Sequence, residues 1–177
     1  KVRFATAHAV YEELRGVLTA EPEGPLSRRV YLDLGVRQSL FTRDQRVAIY
    51  ALFERYLVWL RKEARYETNL IAHEQLSEMT ATYDFIVIDE VQDLTNAQLA
   101  LVLAALKRPG NFVLAGDANQ IVHPNYFSWS KVKSLFWRGV GKVKDRQVQI
   151  LTASYRNSVD VTAVANNILR LKNVRFG

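Results

Sequence analysis

The run Tyr83-Asp84-Phe85-Ile86-Val87-Ile88-Asp89 constrains this chain more than any other stretch. It is short, continuously apolar at its centre, rich in β-branched side chains and closed by an acid. Those properties predict a strand buried on both faces, as in a parallel sheet. Two further runs, Asn111 to Gly116 and Gln147 to Thr152, are expected to be strands of the same sheet. Between the first two, Thr95 and Gln98 have the spacing of a capping box, and an Ala/Leu-rich run continues to Lys107 before Pro109-Gly110 breaks it. Ser158 can cap a helix from Val159 to Leu171. Strands alternating with helices predict an α/β fold with a parallel sheet.

Upstream of Thr82 the chain reads mostly helical. Ala5 to Leu18 is expected as a helix, Glu21 to Ser27 as a loop, and Arg28 to Gly35 as a short strand. Thr42 with Gln45 forms another capping box. Ile49, Leu52, Phe53, Tyr56, Leu57 and Leu60 then recur at three and four, one face of a helix, read here as core packing.

A length of 177 residues suits one domain with room for an insertion. The absence of cysteine excludes a disulfide scaffold, a Cys-ligated metal and a cysteine nucleophile. No apolar run is long enough to span a membrane, and no signal peptide opens the chain, so no membrane partner and a cytoplasmic location are expected. A net charge of +6 favours an anionic partner, of which nucleic acid is the commonest. The chain begins at Lys1 and has one methionine, Met79, so it reads as a piece of a longer protein.

In an open parallel sheet, functional groups gather beyond the carboxyl ends of the strands. The first strand delivers Asp89-Glu90-Val91-Gln92-Asp93 there, the second Gly116-Asp117-Ala118-Asn119-Gln120, and the third Ser154-Tyr155-Arg156-Asn157. Carboxylates, amides and an arginine on one edge suit phosphoryl transfer. Asp89 can hold Mg²⁺ through water, Glu90 can orient and deprotonate an attacking water, and Arg156 can neutralise charge on a γ-phosphate. The competing structural readings are a helix cap or solvated turn for Asp89-Glu90, a surface ion pair for Arg156 and a turn glycine at Gly116.

Taken together, these stretches resemble the UvrD/Rep group of superfamily 1 helicases. Asp89 to Asp93 looks like the group's Walker B motif. Gly116-Asp117-Ala118-Asn119-Gln120-Ile121 looks like its third motif. Leu151 to Asn157, with Val161 and Ala165-Asn166, looks like its fourth. The resemblance covers roughly Tyr83 to Leu171 and implies a RecA-like (P-loop NTPase) sheet, incomplete here. It implies a helical insertion of the 1B type at 1–82 returning into domain 1A, the 1A core at 83–153, and the start of a second RecA-like domain at 154–177. It also implies ATP and Mg²⁺ as cofactors, with Asp89 on the metal and Glu90 as catalytic base. Gln92 and Asp93 would link the nucleotide and DNA sites, Gln120 would sense the γ-phosphate, Tyr155 would stack on adenine, and Arg156 would contact the γ-phosphate.

Two departures stand beside the matches. No Walker A loop is present: the one Gly-Lys pair, Gly141-Lys142, is followed by Val143 and has Phe136 where the first glycine belongs. The chain alone is therefore expected not to hydrolyse ATP, the missing motifs being expected elsewhere in the parent. After Gln120, Asn125 falls where the group has a base-stacking Trp. Tyr126, Phe127 or Trp129 is then the candidate stacking face, with packing of Phe127 and Trp129 into the core as the alternative; His123 is read as a polar contact or a structural residue. Lys131 to Arg146 carries six basic residues against Asp145, which suits a phosphate backbone or a solvated loop equally.

The expected function is part of the motor of an ATP-dependent helicase or translocase acting on single-stranded or partly duplex DNA, with RNA open, together with the rest of its parent chain. The alternative is a helicase-derived nucleic-acid-binding module without turnover.

Overall fold

Local signals set most of the elements in the computed structural model, which describes residues 6–36, 38–117 and 156–176 together with positions 132, 149 and 151. The chain divides into two units, Lys1–Val143 and Lys144–Gly177.

In the first unit, Thr6 caps helix α1, Ala7–Glu13, by accepting from the Ala9 amide at 3.0 Å. α1 runs on into a π-helical turn, Leu14–Leu18, closed where both the amide and the hydroxyl of Thr19 donate to the Leu14 carbonyl. Ser27 caps α2, Arg28–Leu32. The strand expected at 28–35 is thus a helix and an exit turn. The physical reason is tertiary. Tyr31 is fully buried with its hydroxyl on Glu13, and Arg46 donates to the carbonyls of Tyr31, Leu32 and Leu34, satisfying the helix end that a strand would not present.

α3, Arg43–Lys62, begins at Thr42 in the expected capping box with Gln45. Its inner face buries Ile49 and Phe53 in one cluster with Val10, Leu14 and Leu18, and Leu60 is buried further along the helix. Tyr56 and Leu57 pack at the edge, whereas Leu52, expected in the core, is 37% exposed. Removing a side chain such as Phe53 costs about 3–5 kcal/mol. α4, Thr68–Leu76, is capped by the buried carboxylate of Glu67, which accepts from the Asn69 and Leu70 amides at 3.0 Å.

β1, Ile86–Ile88, and β2, Phe112–Leu114, form a parallel pair, with Ile86 opposite Phe112 and Ile88 opposite Leu114. α5, Asn96–Ala104, connects them and starts at the Thr95–Gln98 capping box. Ile88, Val91, Leu99 and Val132 make the core beneath this pair. The expectation of burial on both faces fails. Phe85, Val87 and Val113 are 55%, 66% and 50% exposed, while the core formed with α5 and Val132 takes up the Ile88 side. The third strand expected at 147–152 lies outside the described residues apart from 149 and 151, neither of which is in a strand.

In the second unit, α6, Val159–Phe176, runs past the expected end at Leu171, and the Ser158 hydroxyl accepts from the Val161 amide at its start.

Candidate active site

β1 and β2 stay connected beyond their last paired residues. The Ala115 amide donates to the Ile88 carbonyl at 2.8 Å, and the Val91 amide donates to the Ala115 carbonyl at 3.0 Å. Asp89 and Glu90 are carried on the corner between those two bonds, beyond the carboxyl end of β1, and both are exposed. Glu90 adopts φ 50° and ψ 41°, the left-handed region that side chains other than glycine seldom take. Such a conformation costs on the order of 1–3 kcal/mol and gathers at functional corners. It turns the chain from the strand into the 3₁₀ turn Val91–Asp93. Asp89 steadies the corner by accepting the Glu90 amide on Oδ1 at 2.9 Å.

Gln92 is 5% exposed and uses both ends of its amide. Nε2 donates to Glu90 Oε2 at 2.6 Å, and Oε1 accepts from the Asp117 amide at 3.1 Å. One buried side chain therefore binds the turn after β1 to the turn after β2. Gly116 makes that approach possible. A Cβ there would stand 2.5 Å from Gln92 Oε1 and 2.8 Å from Val91 Cγ1. The position demands glycine for space rather than for a backbone angle. Asp93 is exposed, and its amide donates to the Glu90 carbonyl.

Two residues further on, the turn is anchored to the helical part of the unit. The Thr95 hydroxyl donates to Asn69 Oδ1 at 2.7 Å, and Asn69 Nδ2 donates to the Arg15 carbonyl at 2.8 Å and to Thr19 Oγ1 at 3.0 Å. Around this fully buried asparagine, Gln98 donates to Thr68, Asn96 to Glu21, and the Ala97 amide to the Ala20 carbonyl. Nothing in the pattern around Asn69 singles it out; only the Thr95 capping box lay in view.

Of the residues expected to carry chemistry, Asp89, Glu90, Gln92 and Asp93 come together on one turn. Arg156 is exposed in the second unit, just before α6. Gln120, His123, Asn125, Tyr126, Trp129 and Tyr155 lie outside the described residues, as does the basic stretch 131–146 apart from Val132, which is buried under β1. Among the described residues no three acidic or histidine side chains are grouped as a metal cage, and no helix is long and apolar enough to cross a membrane.

Residues 38–129, just over half of the chain, match the family model of the UvrD/REP helicase N-terminal domain. The chain is 25% identical over 170 residues to the human TPR and ankyrin repeat-containing protein 1, across 88% of this chain and 6% of that protein. The chain thus spans 6% of the length of this curated relative. No solved structure matches it.

Proposed function

The chain belongs to the UvrD/REP helicase N-terminal domain family, and from that premise we propose that it forms part of the motor of an ATP-dependent helicase or translocase on single-stranded DNA. The observation that carries this reading is the turn at 89–93: two exposed carboxylates at a parallel strand's carboxyl end, one of them on a left-handed residue whose side chain is held by a buried amide.

The donor set fits one hydrated divalent cation. Mg²⁺ keeps most of its waters and asks for one or two carboxylates, so the exposed Asp89 suffices without a cage, of which there is none among the described residues. Bound Mg²⁺ with ATP would supply charge neutralisation at the phosphates. The chain's own residues do the rest. Glu90 takes a proton from water at its carboxylate, with Oε2 oriented by Gln92. Gln92 passes any shift of the Glu90 carboxylate to the Asp117 amide, and so toward the segment with Gln120, the γ-phosphate sensor in this reading. Asp93 shares that coupling role. Tyr155 would stack on adenine, and Arg156 would meet the γ-phosphate. His123, Asn125, Tyr126 and Trp129 are proposed to contact the strand. The helical part to residue 82 is taken as a 1B-type insertion, 83–153 as a RecA-like core and 154–177 as the start of a second one, in an intracellular, nucleic-acid-associated parent.

The test is ATP hydrolysis by the parent chain with and without single-stranded DNA, Glu90→Gln beside wild type. Loss of a general base removes about 10²–10⁴-fold of turnover. A parent that binds nucleic acid but never turns over ATP would sink the motor and leave a binding module.

A further inference from the structure

Helix α3 has a second face that the core does not use. Val47, Leu52, Val58 and Trp59 are exposed on it, with Ala51 open among them and Ala48 partly covered. At 100° per residue these six span about 140° of arc, turned away from Ile49 and Phe53. A continuous apolar stripe on a surface marks a place of contact with another protein. The stripe also carries charge of both signs. Asp44 opens it in the first turn of the helix, Lys62 closes it in the last, and Arg55 lies between them. Glu54 and Arg61 stand beyond one edge, and the carboxylate of Glu67 is buried as the cap of α4. The ion pairs formed among the described residues, His8 with Glu12, Arg43 with Asp33 and Lys107 with Asp84, use none of the three stripe charges.

The stripe is complementary to itself read backwards. Asp44 and Lys62 are about five helical turns apart, so they lie on one line along the helix. An antiparallel second copy, crossed at the level of Phe53, sets Asp44 against the second copy's Lys62, and Lys62 against its Asp44. The same register sets Val47 against Val58 and the Ala48 methyl against the Trp59 indole, and it brings Leu52 beside its own counterpart near the axis. Ala51 then faces Arg55 and leaves room for the arginine's aliphatic stem. A two-fold contact of this kind uses one patch for both copies. A parallel copy would instead set Asp44 on Asp44 and Lys62 on Lys62. A nucleic acid would meet a carboxylate at one end of the stripe and, in Val47, Leu52 and Val58, nothing on which a base stacks.

We propose that α3 pairs antiparallel with α3 of a second copy of this chain, through the stripe from Asp44 to Lys62. The contact goes beyond the motor reading, since it asks for no ATP and uses none of the residues of the 89–93 turn. One pair of helices about 30 Å long is a small interface, so the pairing is a monomer–dimer equilibrium that concentration shifts.

The experiment is sedimentation equilibrium of the whole chain over about a hundredfold range of concentration. The mass should climb from the 20.3 kDa monomer toward twice that value. Val58→Lys, at a position 63% exposed, should hold the chain at the monomer mass. Asp44→Lys should weaken pairing roughly tenfold, because both symmetric ion pairs become repulsions. Asp44→Lys/Lys62→Asp restores the pairs in reverse and should recover most of that loss. Val164→Lys, at an equally open valine of α6, should change nothing. A chain that stays monomeric throughout, a Val58→Lys variant that pairs like wild type, or pairing abolished by Val164→Lys would overturn the proposal. So would a double charge swap no better than the single one. The charge swaps alter only exposed side chains, so the question stays answerable if Val58→Lys unfolds. Glu90→Gln should pair as wild type, which keeps failure of this surface distinct from failure of the motor.

Discussion

Gly116 lies so close to Gln92 that a single added methyl would fall 2.5 Å from its Oε1. The contact matters because Oε1 is the atom that accepts the Asp117 amide, while the other end of the same side chain holds Glu90.

Gly116→Ala is therefore expected to do more than strain a loop. Gln92 is nearly buried and Val91 is fully buried, so the neighbours have little room to retreat. Overpacking of this kind costs about 1–3 kcal/mol. The cost should appear as a lower denaturation midpoint. It should be accompanied by faster amide exchange at Val91 and Asp117, whose hydrogen bonds close the two turns. A variant with unchanged exchange at both amides would show that the turns are not coupled through this contact.

Asn69→Ala removes one acceptor and two donations at a fully buried site. It leaves the Thr95 hydroxyl and the Arg15 carbonyl without that partner, so a loss of about 2–4 kcal/mol is expected in chemical denaturation. Asn69→Asp is the sharper test. It keeps an acceptor for Thr95 but sets a carboxylate oxygen against the Arg15 carbonyl, so it should not rescue stability. Rescue by aspartate would mean that the Thr95 bond alone holds the helical part to the start of α5.

Much of this fold was legible wherever the physics is local. The capping boxes at Thr42–Gln45 and Thr95–Gln98 mark the starts of α3 and α5 where they fall, because both partners lie within one turn of chain. Ile86–Ile88 and Phe112–Leu114 follow from continuous β-branched and apolar runs. The misreadings are non-local. α2 is one turn of helix held by Arg46 and Glu13, residues 12 to 18 positions away, and nothing within 28–35 announces them. The continuous β-branched run of β1 points to burial on both faces, yet Val87 is 66% exposed, since a strand cannot report how many helices cover it. In the candidate site, the acids and Gln92 were visible as a motif. Asn69 was not, because its partners lie 26, 50 and 54 residues away.

Ala64 offers a test in the opposite direction. It sits at φ 48° just past α3, where the Arg65 amide reaches back to the Leu60 carbonyl at 2.8 Å. That is a helix C-terminus of the kind glycine usually fills, since a Cβ is disfavoured in the left-handed region. Ala64→Gly should raise stability by up to about 1 kcal/mol. A loss instead would mean that the entropy glycine adds to the unfolded chain outweighs the strain relieved.

Tyr31 makes stability depend on pH at the alkaline end. Burial pushes its phenol above the usual tyrosine range, and the charge of Glu13 and the hydrogen bond to it push the same way. Tyr50 and Tyr56 are raised too, again mainly by burial. With a folded pKa above the unfolded one, the contribution is complete below about pH 10. Above it, the unfolded chain gives up a proton that native Tyr31 keeps, and stability falls by about 1.4 kcal/mol per pH unit for this one group. Tyr31→Phe should lower stability at neutral pH, because Glu13 loses a donor and is left, among the described residues, with Ser39 and the Leu40 amide. It should also flatten the decline above pH 10 by the share of one proton. Denaturation midpoints at pH 8, 10 and 11 for both proteins measure this, and parallel curves would show that Tyr31 ionises as readily in the folded chain as in the unfolded one.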